Sequence, residues 1–149
     1  MSVSYDVFIG SFLEKVTERD LLSLEKSQRD SIVTGYMKRA ISGFKKICQY
    51  DLSTTSDDEI REFDVDIPEE DLIEIADIIS EGMIVQWLKP YIYRQELLEN
   101  AINTQDFTTY SPAELLLRVG NAYADAKKDY TQMVREYSFN TGDLTDLHL

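Results

Sequence analysis

Six oxygen-bearing residues, Asp51, Ser53, Thr55, Asp57, Glu59 and Glu62, occupy positions 1, 3, 5, 7, 9 and 12 of a twelve-residue window, the ligand spacing of a helix-flanked calcium loop. Two positions depart from that pattern. Position six is Ser56, where the sharp turn calls for glycine, and position eight is Asp58, where an apolar side chain normally packs. The window therefore reads as a solvated acidic loop that attracts divalent cations loosely. Histidine, the usual general base near neutrality, occurs once, as His148 beside the C-terminal end. A mobile tail cannot hold an imidazole to catalytic tolerance. Cys48 falls on the apolar stripe of a helix and reads as a packed thiol. Neither a glycine-rich phosphate loop nor a glycine-flanked nucleophilic serine occurs. The expectation is no catalytic residue, no metal, no cofactor and no enzyme.

Charge is the stronger signal. Thirteen of the 28 acidic residues lie between Asp51 and Glu81, against one basic residue, Arg61. One-fifth of the chain thus supplies nearly all of a net charge of −13. Such a stretch repels phosphate, whose binding requires Lys and Arg to release counterions, and favours solvation over burial. Asp57, Asp58, Glu59, Glu62, Asp64 and Asp66 are accordingly predicted to form an acidic surface. Lys38 and Lys45, with Arg39 and Lys46, make paired basic rows seven residues apart. They read either as a solvated helix face or as a surface docked on acidic residues of the same chain or a neighbour. Specific nucleic-acid binding is not expected.

The elements that position these residues are predicted to be helices. A chain of 149 residues with 43% hydrophobic content suits one domain, here residues 1–142, followed by a flexible tail, 143–149. No run approaches the ~18 apolar residues of a membrane span, and no secretory signal is visible. A single cysteine excludes an internal disulfide and points to a reducing compartment. Tyr5, Phe8, Ile9, Phe12 and Leu13 mark an amphipathic helix over 4–15, and Thr17 with Asp20 opens a short second one through Leu24. A third runs from about Ser27 to Tyr50 on a stripe that includes Val33, Met37, Ile41 and Phe44.

Residues 51–67 break that period. Phe63, Val65 and Ile67 alternate with Asp64 and Asp66, a short extended segment whose pairing the pattern leaves open; if unpaired, its edge would be available to a partner. Pro68 then starts a central helix with Glu69, Glu70 and Asp71 at its positive end. Its 78–93 stretch is apolar on nearly every face, and Pro90 is predicted to kink it near Gln86. The last helix opens on a capping box, Ser111-Pro112-Ala113-Glu114, and Gly142 can close it. About 30 residues give a rod of roughly 45 Å. Tyr123, Tyr130 and Tyr137 repeat on it every seven residues and suit an interface or a core equally. The fold class is an all-α bundle with a kinked central helix, a long C-terminal helix and a short extended acidic loop at about 51–67.

The run Tyr110-Ser111-Pro112-Ala113-Glu114-Leu115-Leu116, with the closing Glu136-Tyr137-Ser138-Phe139-Asn140-Thr141-Gly142-Asp143-Leu144, resembles the C-terminal part of helical head–tail connector (neck or adaptor) proteins of tailed bacteriophages. The resemblance covers about a quarter of the chain and consists largely of helix-capping grammar. It implies a non-enzymatic virion subunit, made in the host cytoplasm and assembled as a ring beneath the portal. Portal and other neck or tail proteins would be its partners. Tyr123, Tyr130, Tyr137, Asp143, Leu144 and Leu147 would form the docking interface. Acidic side chains lining the ring would let DNA slide without binding it. A second reading, from charge alone, is a small acidic regulatory or DNA-mimic protein that docks on a basic partner. A third, an enzyme using clustered carboxylates and Mg²⁺, lacks a usable histidine.

Overall fold

Apolar residues at three- and four-residue steps drive helix formation through most of the chain. The computed structural model describes residues 2–18, 30–93 and 112–141. Within them lie β1 (Val3–Ser4), α1 (Tyr5–Glu18), α2 (Asp30–Phe44), β2 (Ser56–Asp57), β3 (Glu62–Phe63), α3 (Glu69–Tyr93) and α4 (Pro112–Thr141). The predicted helical bundle with a long terminal helix is the architecture found, with one small sheet added. The body of the helix expected through Leu24, the caps Ser111 and Gly142, and the tail with His148 lie outside the described residues.

The central element is α3, which packs against α1, α2 and α4. Its apolar run explains this, since every residue from 78 to 84 is buried and no single neighbour can cover a helix on all faces. Pro68 stands just before the helix, its carbonyl accepting the Leu72 amide at 2.8 Å. The helix continues through Pro90 to Tyr93, although proline withholds an N–H from the carbonyl of Gln86. No described helix is long and apolar enough to cross a membrane.

Aromatic rings join the layers. Phe12 meets Trp87 edge-on at 5.7 Å, Phe44 meets Tyr137 at 5.0 Å, and Phe63 lies 4.7 Å from Tyr5 and 5.5 Å from Phe8. Offset and edge contacts of this kind add about 0.5–1.5 kcal/mol each beyond the area they bury.

Two boundaries differ from expectation. α1 continues to Glu18, so Thr17, expected to open the next helix, lies inside α1 with its Oγ1 donating to the Leu13 carbonyl at 3.0 Å. The third predicted helix was read to Tyr50, yet α2 ends at Phe44. The amides of Ile47 and Cys48 both donate to the Phe44 carbonyl at 3.0 Å, making a closing turn. The Gln49 amide then donates to the hydroxyl of Tyr137 at 3.0 Å. An acceptor from α4 thus replaces the one a longer helix would have supplied, and the chain turns away.

The extended segment is paired only at its start, where Glu62 and Phe63 form a strand. β3 lies between β1 and β2, with Val3 and Ser56 opposite Phe63, and Ser4 and Asp57 opposite Glu62. Both edges of β3 are therefore covered. Alternation works as read: Phe63 and Ile67 are buried, while Asp64 and Asp66 are exposed. Arg61, at φ 55°, takes the left-handed conformation that lets the hairpin reverse, and its carbonyl accepts the Tyr5 amide at 3.0 Å.

Candidate interaction surface

The acidic block divides into three environments. Asp57, Glu59, Asp64, Asp66, Glu69, Glu70 and Glu74 are exposed, and among the described residues none of them forms an ion pair. They run from the hairpin onto the first turns of α3. Glu69 and Glu70 have a local role as well, since negative charge at the positive end of a helix stabilises it by ~0.3–1 kcal/mol per residue. Glu62 is half-buried.

Asp58 is bound down. Its Oδ1 accepts the Tyr5 hydroxyl at 2.7 Å and its Oδ2 accepts Lys38 Nζ at 2.7 Å. These bonds favour the carboxylate, so the Lys38 and Tyr5 contacts hold its pKa below the ordinary value. Tyr5 is pushed the other way, up to about 12, by burial and by the Asp58 charge. Lys38 thereby docks on the acidic block of its own chain, one of the two readings of the basic rows. Arg61 reaches back to Asp6 at 3.5 Å. The hairpin is fixed to α1 and α2 at its base, while Ile60 at its tip stands 62% exposed.

Asp51 turns inward on its own loop. Its carboxylate accepts the amides of Ser53 and Thr54, both at 3.0 Å, and both hydroxyls of those residues, while its carbonyl accepts Thr55 Oγ1 at 2.7 Å. The Thr54 bonds lead in lowering its pKa to about 2. Asp57 likewise caps the Glu59 amide at 3.0 Å, and Glu62 sits in a strand. The calcium-like spacing is thus folded into a capped loop and a hairpin. Among the described residues no group of three His, Cys, Asp or Glu side chains converges as a metal site.

The third environment reaches from the surface, at Asp77, into the interior, at Glu81. Glu81 is 2% exposed and meets Lys15 Nζ at 3.0 Å, while Asp77 meets the same nitrogen at 2.5 Å. Ser11 Oγ donates to Ser80 Oγ, which donates to the Asp77 carbonyl, each at 3.0 Å. Burial by itself would lower the Lys15 pKa, but the bonds and charges of Asp77 and Glu81 outweigh it and the net shift is upward. A lysine held more firmly charged is a poor general base. This cluster joins α1 to α3. A lone glutamate inside the apolar run from Ile78 to Ile84 was its sequence signal.

The three tyrosines do not share one fate. Tyr137 is buried at 1% exposure and belongs to the core, not to an outward interface. Tyr130 is half-buried over Gly82, and burial raises its pKa. Tyr123 is also half-buried at the edge of the core, with Lys127 Nζ 6.0 Å from its ring centre. It forms one end of a shallow groove, open to solvent, along one face of α4 that also carries Ala124, Lys127, Lys128, Thr131, Gln132 and Arg135. Sequence reading overlooked this groove because its cations sit among Asp125, Asp129 and Glu136 in the chain. Asp143, Leu144 and Leu147, the remaining predicted interface residues, lie outside the described residues. Cys48 is half-buried, and burial raises its thiol pKa and blunts its nucleophilicity.

Compared with known proteins, the chain matches no family model, no curated protein and no solved structure.

Proposed function

We propose that this chain is a structural assembly subunit, of the head–tail connector kind found in tailed bacteriophage virions. One observation carries the reading. Seven exposed carboxylates, none of them in an ion pair among the described residues, are held on an anchored hairpin, the segment after it and the start of α3. A wall of that chemistry repels phosphate, so a ring bearing it conducts duplex DNA without retaining it. The resemblance of the 110–144 region to connector proteins supplies the subtype, with portal and neck proteins as partners. Electron microscopy of the chain mixed with portal rings tests this. A second ring stacked on the portal is expected; portal rings unchanged at saturating chain, or turnover of a substrate by the chain, sink it.

The same unpaired carboxylates favour a second reading, an acidic regulatory protein that occupies the phosphate-binding face of a basic partner. That reading expects stoichiometric binding that weakens steeply with salt and competes with DNA. A connector, in contrast, binds a portal whether or not DNA is present.

A further inference from the structure

The molecule presents two surfaces of opposite character. The hairpin tip carries Ile60, 62% exposed, between Asp57 and Glu59 on one side and the Arg61 turn on the other. The α4 groove has an apolar side, Tyr123 and Ala124, and three cations, Lys127, Lys128 and Arg135. All three cations are exposed, and among the described residues none is in an ion pair. Within one copy the hairpin packs on β1 while α4 packs chiefly on α3, so the two surfaces belong to different layers of the fold.

We propose that the α4 groove receives the hairpin tip of a second copy of this chain, Ile60 entering beside Tyr123 while Asp57 and Glu59 meet Lys127, Lys128 and Arg135. The inference rests on the reading of the chain as an assembly subunit and identifies the contact between subunits. The tip is suited to the role because Asp58 and the Arg61 carbonyl fix its base, so little conformational freedom is lost on docking. A net charge of −13 opposes approach of two copies at long range. At ~0.1 M salt, however, the Debye length is ~10 Å, and opposite charges in contact outweigh remote like charges. The contact joins two different patches, so repetition builds a closed ring or an open filament rather than a two-fold dimer. Asp64, Asp66, Glu69, Glu70 and Glu74 stay free of it and remain to line a channel.

Sedimentation equilibrium of the full chain tests this. The weight-average mass of the wild type is expected to rise with concentration near ~0.1 M salt, and the apparent affinity to fall about tenfold near ~0.5 M. A groove variant, Lys127→Glu/Lys128→Glu/Arg135→Glu, and a hairpin variant, Asp57→Lys/Glu59→Lys, should each remain monomeric while keeping wild-type circular dichroism. Mixed in equal amounts they should associate again, since each surface then faces its opposite. Ile60→Ser, a change at an exposed position, should weaken association without altering charge. A wild type that stays at 17.2 kDa throughout, reversal variants that associate like wild type, or a mixture that does not recover would overturn the contact. Recovery in the mixture without any ring on a portal would instead overturn the connector reading alone, and portal-bound rings built from either reversal variant would overturn this contact alone.

Discussion

Tyr130 lies so close over Gly82 that a β-carbon on the glycine would stand 2.9 Å from its Cε1 and 3.1 Å from Cβ of Ala40. Three helices therefore converge on one missing side chain, with α2 and α4 approaching α3 as closely as its bare backbone allows. Alanine in place of Gly82 would gain ~1 kcal/mol in helix propensity, yet overpacking of this kind costs about 1–3 kcal/mol. Gly82→Ala should lower stability by roughly 1 kcal/mol net in urea denaturation. A variant more stable than wild type would show that the ring yields freely.

Removing Lys15 takes from the buried Glu81 carboxyl the cation it meets. Lys15→Met should cost about 3 kcal/mol, the low end for a broken buried pair because Lys15 keeps some contact with water. Lys15→Met/Glu81→Leu should recover most of that loss, since an apolar replacement of both partners is often neutral or better. Equal stability of the single and double variants would mean that the pair is not coupled.

The hydroxyl of Tyr137 is the acceptor that lets the chain leave α2. Tyr137→Phe should cost ~1 kcal/mol through the unpaired Gln49 amide, and Tyr137→Ala roughly 3–5 kcal/mol by emptying the Phe44 contact. Hydrogen exchange at the Gln49 amide, read in Tyr137→Phe, should accelerate. Unchanged protection there would contradict the bond.

Within the hairpin, Asp58 differs from its neighbours. Asp58→Asn should lower the unfolding midpoint because it weakens the ties to Tyr5 and Lys38 together, whereas Asp57→Asn and Glu59→Gln should leave it nearly unchanged. The acidic surface expected from sequence treated all three alike, and thermal denaturation of the three variants separates them.

Asp51 and Tyr5, the described groups with the largest shifts, set opposite pH limits. Asp51 is lowered from 3.8 to about 2, so its stabilisation is complete above 3.8 and is lost as pH falls toward 2. Asp51→Asn should flatten that part of the acid limb. Tyr5 is raised from 10.0 to about 12, so its stabilisation is complete below 10.0 and is lost as pH rises toward 12. Tyr5→Phe should reduce the alkaline loss without removing it, because Lys15, also raised, titrates in the same region. A Tyr5→Phe variant with the wild-type alkaline midpoint would contradict the assignment.

Local pattern determined much of this protein. The three-four spacing of Tyr5, Phe8 and Phe12 and of Met37, Ile41 and Phe44, and the seven- and eleven-residue steps of Val119, Ala126 and Tyr137, place those residues on helix faces that are buried here, because a helix brings side chains back to one face every 3.6 residues. The alternation of Phe63, Asp64, Val65 and Asp66 told inside from outside by the same kind of rule, at period two. What tertiary structure alone decided depends on residues distant in sequence. Val3 and Ser4 form a strand only because Phe63 and Glu62 lie opposite them, and no two-residue segment carries that signal. Glu81 counted with the acidic block until Lys15, on another helix, met it in the interior. Tyr137, Tyr130 and Tyr123 share a sequence period, but the elements around α4 cover Tyr137 fully and the other two only in part, so their neighbours differ at each step. A charge or a ring takes its role from what stands within a few ångströms, and only packing brings those neighbours together.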